Sequence, residues 1–385
     1  MHASPCTTLG LLSAAGREPA ARRPTIQADP PMHASDGPKT LALVAPDAFP
    51  VIDVAGTARG MGRAHGEQAR PLIARYLETI EALAKLGRDA LGRKARWFLP
   101  LIERFSPAYM EEVRGLAEGA AIAFDHALLC QVRLEAVRVT EGCSAFALTG
   151  TATADAAPLA GQNQDLEPDF ESFGVVLRVR PADGRPRAVM FTFAGQLGYA
   201  GMNEHGVANF ANALFGQQWR PGLPFYPLRR AFLEQRSVAE CLELAQTHRA
   251  CSAANFVLCD GTGALADVEI RHDEAVEYRG PVADARLHTN HYLVDSFRQF
   301  ETGEYPDSAC RLDRFAALVR EGWGRWSVDG LKRLLADHEG DPAGICRHGA
   351  GGTHSIAGYV AEPARGILHV RRGHGCRGRW MEYSV

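Results

Sequence analysis

The hydrophobic period of the sequence changes abruptly at Gly142-Cys143, and no other feature restricts the fold as strongly. Upstream, residues 61–87 place apolar side chains three and four positions apart, and this pattern predicts that 60–138 is mostly helical. Downstream, "CSAFALTG" alternates apolar residues with the two-residue period of a strand. A helical block therefore precedes a strand that begins with a cysteine.

Beyond this point, strand patterns and helix patterns come in blocks. A helical interval is predicted over 227–248, two later helices are predicted at "CRLDRFAALVREG" and "VDGLKRLLADHEG", and 354–375 is typical of a terminal hairpin. Strands are predicted at 173–181, 187–202, 207–214, 255–260, 264–270, 274–280 and 286–293. This order lacks strand-helix-strand repetition, so it predicts an α+β fold in which antiparallel sheets carry helices on their outer faces.

Charge and cysteine content restrict the partners and the compartment. A net charge of −3 gives no broad attraction to nucleic acid or to a membrane surface, and no apolar run is long enough to span a bilayer. The nine cysteines are sparse and form no CxxC pair, which favours reduced thiols in a cytoplasm over a disulfide framework or a zinc ribbon. We therefore expect a cytoplasmic protein whose partner is a small molecule, with no nucleic acid and no membrane.

The first 45 residues differ in composition from the rest of the chain. They are rich in Pro, Ala, Ser and Arg and show no amphipathic period, which predicts a disordered N-terminal extension over 1–45. The tetrapeptide "MHAS" occurs at 1–4 and again at 32–35, so Met32 is a candidate for the true start.

Motifs for nucleotide cofactors and metals are absent or weak. The chain contains no GxGxxG after a strand, no GxxxxGK[ST], no HExxH and no GxSxG. His288 and His291 in "HTNH" have a spacing that some metal sites use, but on a strand their side chains point to opposite faces. "HGAGGTH" at 348–354 is interpreted as a loop that enters the terminal hairpin. We therefore expect neither a metal nor a cofactor.

Cys143 has the context of an N-terminal nucleophile. It begins a strand, and cleavage of the bond before it would free an α-amine with a pKa of about 7.7–8.0, which suits a general base at neutral pH. Gly142 has no side chain to obstruct attack of the thiol on its carbonyl. The opposing interpretation is that Cys143 is an ordinary buried thiol, the usual role of a free cysteine.

Four segments in order resemble the acyl-coenzyme A:6-aminopenicillanic acid acyltransferase (isopenicillin N acyltransferase) family of N-terminal nucleophile hydrolases. They are "EGCSAF", "LAGQNQDLE", "GYAGMNEHGVANFANAL" and "LHTNHYLVD", and the likeness runs from about residue 50 to the end. The resemblance implies a four-layer αββα sandwich with antiparallel sheets between helical layers. It also implies self-cleavage between Gly142 and Cys143, which would divide one domain, 46–385, into a mainly helical subunit of 46–142 and a nucleophile-bearing subunit of 143–385.

The resemblance also implies roles for individual residues. Cys143 would be the nucleophile for self-cleavage and for turnover, Asp165 would orient its free amine, and Asn290 would donate to the oxyanion. Ala211 and Asn212 match the strand that supplies a second oxyanion donor from its backbone, although the neighbouring asparagines leave the register open. The family's arginine before the penultimate strand has no clear match, since Arg347 and His348 lie a few residues earlier, and this weakens a specific claim on penicillins.

The implied function is that of a self-cleaved cysteine enzyme acting on amides. A Cys143 acyl-enzyme would form from a linear or peptide-like amide or an acyl thioester, and water or an amine would complete hydrolysis or acyl transfer. Acyl-coenzyme A is a candidate co-substrate, the two subunits are expected to stay associated, and a homo-oligomer is compatible with the sequence. Two alternatives stay open: a catalytically silent binding protein, and a Cys–His thiol hydrolase that uses His205, His288 or His291.

Overall fold

The computed structural model describes residues 47–137, 142–215, 219–302, 306–348 and 352–385, which contain eleven α-helices and fourteen strands. The helices are α1 (Ala58–Ala84), α2 (Arg88–Ala95), α3 (Leu99–Phe105), α4 (Pro107–Ala120), α5 (Phe124–Gln131), α6 (Arg133–Ala136), α7 (Phe225–Phe232), α8 (Val238–Thr247), α9 (Asp295–Arg298), α10 (Pro306–Glu321) and α11 (Val328–Leu334). The strands are β1 (Val51–Gly56), β2 (Gly142–Leu148), β3 (Leu159–Leu166), β4 (Gly174–Pro181), β5 (Ala188–Phe193), β6 (Ala200–Asn203), β7 (Ala208–Ala213), β8 (Ala254–Cys259), β9 (Leu265–Arg271), β10 (Glu274–Glu277), β11 (Ala285–His288), β12 (His354–Glu362), β13 (Ile367–Arg372) and β14 (Trp380–Ser384).

The strands form two sheets. One sheet has eight strands in the order β1-β4-β5-β6-β7-β8-β9-β10, and the other has six in the order β11-β2-β3-β12-β13-β14. All neighbouring strands are antiparallel except β1 and β4, which pair in parallel. The helical block lies between β1 and β4 in the chain, which is long enough for the crossover that a parallel pair requires. The prediction of antiparallel sheets is therefore confirmed, with this one pair as a correction.

Aromatic residues pack the two sheets face to face. Tyr359 of β12 lies between Phe191 and Phe210 of the eight-stranded sheet, with ring centroids 5.2 and 6.2 Å apart. Such aromatic contacts bury large apolar surfaces, and burial of that surface is the main force that stabilises a core. The inner faces of both sheets therefore share one hydrophobic core.

Helices cover the outer faces of both sheets. Phe256 of β8 packs against Phe232 of α7, with ring centroids 4.7 Å apart, on the outside of the eight-stranded sheet. Phe146 of β2 packs against Phe315 of α10 at 5.9 Å on the outside of the six-stranded sheet, where α11 adds Leu334. The layers are therefore helix, sheet, sheet and helix, and the predicted α+β fold with an αββα arrangement is confirmed.

The upstream block is helical, as predicted, and is held together by very close packing of α1 against α4. A Cβ on Gly62 would lie 1.9 Å from the Glu112 carbonyl oxygen, and one on Gly115 would lie 2.0 Å from the Arg59 oxygen, so only glycine permits this approach. Ser106 accepts a hydrogen bond from the Tyr109 N–H, which fixes the start of α4.

Other predictions fare unevenly. The terminal hairpin is confirmed as β12 and β13, whereas β3 and β14 were not predicted as strands. The helical interval over 227–248 is divided into α7 and α8, and the strand predicted over 286–293 ends at His288. The predicted N-terminal extension lies outside the described residues. Among the described helices, none has the length and apolar character needed to cross a membrane.

Candidate active site

The Gly142-Cys143 junction begins β2, where the register with β3 decides what each side chain faces. Gly142 pairs with Asp165 and Cys143 pairs with Gln164. Because successive residues of a strand alternate between faces, Gly142 and Asp165 lie on the side of α10 and α11, while Cys143 faces the eight-stranded sheet. The Cys143 side chain is buried, with 1% exposure in the intact chain. The Cys143 thiol is therefore not accessible from the surface in this structure.

Asn290 lies against the backbone of the proposed nucleophile. Pairing of β11 with β2 sets His288 opposite Ala145, and the chain then carries Asn290 to the start of β2. Asn290 Oδ1 accepts a 2.7 Å hydrogen bond from the Cys143 N–H, and Nδ2 donates one to the Ala213 carbonyl at 3.1 Å. The amide group is thereby fixed in orientation, and since Nδ2 carries two hydrogens, a second N–H is available for another acceptor.

Arg311 of α10 is a residue of the site that sequence reasoning missed. Its Nη1 donates to the Cys143 carbonyl at 2.6 Å and to Ser144 Oγ at 3.0 Å, and its Nη2 donates to Asn290 Oδ1 at 2.9 Å. Burial lowers the pKa of Arg311, and nearby Asp165 opposes that shift. A guanidinium stays protonated in proteins, so it places a positive charge directly beside the junction.

A signal for Arg311 was present in the sequence. The buried positions of α10 include Ser308, Arg311, Phe315 and Val319, which are spaced three or four residues apart. This is the stripe of a helix that faces a core, where arginine is rarely found without a specific partner. An arginine on the apolar stripe of a predicted helix is therefore the pattern that could have identified it.

Asp165 occupies a buried position next to Gly142. Ser355 Oγ donates to its Oδ1 at 2.6 Å, while Oδ2 has no hydrogen-bond partner among the described residues. Burial raises the pKa of Asp165, and Arg311, Arg347 and the Ser355 hydrogen bond act in the opposite direction. Asp165 Oδ2 is therefore a buried acceptor that lies beside the Gly142-Cys143 junction.

Arg347 lies beside Gly142, on the same side as Asp165. A Cβ built on Gly142 would lie 3.0 Å from Arg347 Nη1 and 3.3 Å from Asp165 Oδ2. Arg347 Nη1 donates to Asp307 Oδ2 at 3.1 Å, and its backbone N–H donates to Ser355 Oγ at 2.9 Å. A cation and a carboxylate therefore both border the residue that precedes Cys143.

The strand expected to supply a second oxyanion donor borders the site. The Ala211 N–H donates to Gln162 Oε1 at 3.2 Å, and Asn212 Nδ2 donates to the His288 carbonyl at 3.3 Å. In the intact chain these groups are engaged with neighbours other than the junction. The donor role of Ala211 and Asn212 therefore stays a prediction.

The histidines proposed for a Cys–His pair have other surroundings. His288 is buried, with Nε2 3.0 Å from Glu269 Oε1 and Nδ1 2.8 Å from the Thr289 carbonyl. His291 Nδ1 lies 2.8 Å from Ser308 Oγ, and His205 is exposed. Both ring nitrogens of His288 therefore have partners away from the thiol, and the HTNH pair does not converge on one point.

The sequence matches one described family over much of its length. The model of the acyl-coenzyme A:6-aminopenicillanic acid acyl-transferase family matches residues 151–374. The 40 kDa form of acyl-coenzyme A:6-aminopenicillanic-acid-acyltransferase from Emericella nidulans is 27% identical over 305 residues, which cover 76% of this chain and 83% of the relative.

Two solved structures show weaker similarity. Penicillin V acylase from Agrobacterium tumefaciens gives a TM-score of 0.45 at 12% identity, over 63% of this chain and 86% of that chain. A mutant of the conjugated bile acid hydrolase from Clostridium perfringens gives 0.46 at 13% identity, over 63% and 92%. The family match spans more than half of the sequence, and so the chain belongs to the acyl-coenzyme A:6-aminopenicillanic acid acyl-transferase family.

Proposed function

We propose that this protein is a self-cleaved cysteine N-terminal nucleophile enzyme that hydrolyses amides or transfers acyl groups. The observation that carries the proposal is the enclosure of the Gly142-Cys143 junction. Asn290 and Arg311 bind the N–H and the carbonyl of Cys143, and Asp165 lies beside Gly142. Hydrogen bonds therefore fix the backbone of Cys143, and charged groups border Gly142 on the other side of the peptide bond.

Self-cleavage proceeds in two steps in this proposal. The Cys143 sulfur attacks the Gly142 carbonyl carbon, the peptide C–N bond breaks, and the leaving nitrogen takes a proton to become the Cys143 α-amine. Water then hydrolyses the thioester, which releases a Gly142 carboxylate and the free thiol. The positive charge of Arg347 beside Gly142 favours the negative charge that develops in both steps.

The new chain end that cleavage produces takes part in the second reaction, the turnover of substrate. The α-amine has more hydrogens than the amide it replaces, and we assign Asp165 Oδ2 as their acceptor, because this oxygen lacks a hydrogen-bond partner among the described residues and lies beside Gly142. The amine then acts as general base for the thiol, and the second N–H of Asn290 Nδ2 donates to the oxyanion of the substrate. Water or an amine accepts the acyl group from Cys143.

The two predicted subunits share one core, which supports their continued association. Tyr76 of α1 packs against Phe173 at 4.9 Å and against Phe193 of β5 at 6.0 Å. Residues on both sides of the cut therefore bury one another, and separation would expose that apolar surface to water. We expect 46–142 and 143–385 to remain one folded unit.

Intact-mass spectrometry tests the proposal directly. Wild-type protein is expected as two chains, the second beginning at Cys143, and Cys143→Ala is expected as one uncut, inactive chain. Cys259→Ala is the matched control, because Cys259 is equally buried on β8 and should leave cleavage intact. An active wild-type protein that is uncut would remove the mechanism and would favour a Cys–His enzyme. An uncut, inactive protein with an unreactive Cys143 would favour a binding protein.

A second experiment addresses the substrate class. Cleaved protein is incubated with N-acyl amides, peptide-like amides and acyl-coenzyme A, each with and without an acceptor amine. A mass increase of one acyl group on the chain that begins with Cys143 identifies the acyl donor. Release of free acid in water alone indicates hydrolysis, and formation of a new amide with the amine indicates transfer.

A further inference from the structure

We propose that His338, Cys346, His348 and Cys376 form a binding site for a divalent metal ion of the zinc type. The ligand atoms of these four side chains all lie within 4.8 Å of one another. In a tetrahedral zinc site, bonds of about 2.3 Å to sulfur and about 2.0–2.1 Å to nitrogen put neighbouring ligand atoms about 3.3–3.8 Å apart. Shifts of about 1 Å would therefore convert the cluster into a Cys2His2 site.

Two histidine nitrogens and one cysteine sulfur of the cluster lie close enough together to bind one ion. His338 Nε2 and His348 Nε2 are 2.7 Å apart, and Cys376 Sγ is 3.4 Å from the same His348 nitrogen. Two imidazole nitrogens this close need a shared proton between them, and a metal ion can take the place of that proton. The donor set of two imidazoles and two sulfurs is one that zinc prefers.

The fold brings these ligands together from two separate segments. The chain after α11 supplies His338, Cys346 and His348, and the segment between β13 and β14 supplies Cys376. A Cβ on Gly375 would lie 2.5 Å from the Leu335 carbonyl oxygen, so glycine is needed for the second segment to approach the first.

Backbone groups support the sulfur of Cys346. The Gly375 N–H donates to Cys346 Sγ at 3.2 Å, and the Cys346 N–H donates to the Asp337 carbonyl at 2.9 Å. Hydrogen bonds to a ligand atom orient it and stabilise a thiolate, and such outer contacts accompany metal sites in general. The buried cysteine is therefore held in place for binding.

The sequence-based expectation of no metal missed this cluster for a definable reason. His348 was assigned to a loop, and Cys376 lies far from it in the chain, so no short motif contains both. The pair that was considered, His288 and His291, does not converge, because His288 is bound to Glu269.

The cluster is joined to the proposed cleavage junction through Arg347. Arg347 lies between the ligands Cys346 and His348, its carbonyl accepts a 2.8 Å hydrogen bond from the Ser355 N–H, and its Nη1 reaches the side of Gly142. An ion bound by Cys346 and His348, the two neighbours of Arg347 in the chain, would fix the backbone of Arg347. This consequence for cleavage depends on the proposed function, whereas metal binding itself does not.

The test uses untagged protein carrying Cys143→Ala, so that metal binding is measured whether or not the chain cleaves itself. The protein is dialysed against micromolar zinc, and its metal content is then measured by inductively coupled plasma mass spectrometry. Chelator-treated protein is then titrated with Co²⁺, whose visible and thiolate charge-transfer absorption reports tetrahedral sulfur ligation. We expect one ion per chain and a spectrum of a Cys2His2 site.

Removal of single ligands outside the buried Cys346 gives the decisive comparison. Cys376→Ser and His338→Ala are expected to bind at least about 100-fold more weakly, a larger loss than the 10–100-fold that outer contacts cost. Cys259→Ser and His248→Ala are controls away from the cluster, and they should bind like the parent. Absence of stoichiometric binding in the parent, binding that is unchanged in Cys376→Ser, or a Cys346–Cys376 disulfide in the freshly isolated protein would overturn the site.

A cleavage assay then separates the two proposals. In the otherwise wild-type chain, the metal-free protein is expected to cleave more slowly than the zinc-loaded protein, and zinc should restore the rate. A wild-type protein that never cleaves contradicts the proposed function but leaves the Co²⁺ spectrum as valid evidence for the site.

Discussion

The Cys143 N–H donates a 2.7 Å hydrogen bond to Asn290 Oδ1 in the intact chain. The nitrogen that makes this contact is the one that would become the α-amine after cleavage. In the proposed mechanism, Asn290 would therefore bind the nitrogen of the general base already before cleavage, and Arg311 Nη2 binds the same Asn290 oxygen at 2.9 Å. The proposal thus gives one amide group two separable functions: its oxygen would position the base, and its nitrogen would donate to the oxyanion.

Asn290→Asp separates these two functions. The carboxylate keeps oxygen acceptors for Cys143 and Arg311 but has no N–H, so it can donate neither to the oxyanion nor to the Ala213 carbonyl. We expect the variant to fold and to lose turnover by about 10²–10³-fold, the range found when one oxyanion donor is removed. Steady-state kinetics on the acyl donor measure the loss, which should fall on kcat rather than KM. Wild-type kcat in a fully cleaved variant would show that Asn290 does not donate to the oxyanion.

Arg311→Lys tests the buried cation. A lysine keeps the charge but lacks the planar fork that reaches Cys143, Ser144 and Asn290 together. Loss of one charged hydrogen bond of about 1.5 kcal/mol corresponds to cleavage slowed about tenfold or more. The cleavage time course on denaturing gels measures this rate.

Arg314→Lys is the matched control for this variant. Arg314 lies one turn along α10 and pairs with Asp337 at 2.7 Å, away from the junction. Cleavage at the wild-type rate is expected here. Equal rates in both variants would mean that Arg311 serves the fold and not the junction.

Gly142→Ala tests the close packing around the residue before the nucleophile. The new methyl group would contact Arg347 Nη1 at 3.0 Å and Asp165 Cβ at 3.2 Å, so one or both must move. Overpacking of this kind costs about 1–3 kcal/mol, which corresponds to cleavage slowed about fivefold to 150-fold if the strain disturbs the junction. Gly87→Ala, where a Cβ would meet no atom within 4 Å, should cleave normally. A normal rate in Gly142→Ala would show that Asp165 and Arg347 need not stay in place.

The sequence predicted the parts of the site that have local signals. The change of hydrophobic period located β2 and Cys143, and ordered motifs identified Asp165 and Asn290. The contact between Arg311 and Cys143 joins residues 168 positions apart, so no local pattern encodes it. β3 was not predicted because its polar residues face protein groups: Asn163 Nδ2 donates to the Leu335 carbonyl at 2.8 Å, for example. Buried polar strands of this kind depend on partners that only the tertiary fold supplies.

The pH dependence of stability should carry a contribution from His65. His65 is buried, its Nε2 accepts a 3.0 Å hydrogen bond from the Gly195 N–H, and burial lowers its pKa to about 4. The unfolded chain, with a histidine pKa of about 6.5, binds more protons than the folded chain between these two values. The contribution of neutral His65 to the free energy of unfolding is therefore fully present above about pH 6.5 and is lost as the pH falls toward 4. At pH 5 the loss is about 2 kcal/mol.

Urea unfolding of the uncut Cys143→Ala protein at pH 7.5 and pH 5.0 measures this loss. His65→Gln keeps an oxygen acceptor for Gly195 but does not titrate. Its free energy of unfolding should therefore fall by about 2 kcal/mol less than that of the parent between pH 7.5 and pH 5.0. His205→Gln, at an exposed turn position, should retain the full pH dependence of the parent. Because other buried groups titrate in all three proteins, only the difference between variants is assigned to His65. Identical pH dependence in His65→Gln and in the parent would mean that His65 is protonated in the folded chain at pH 5.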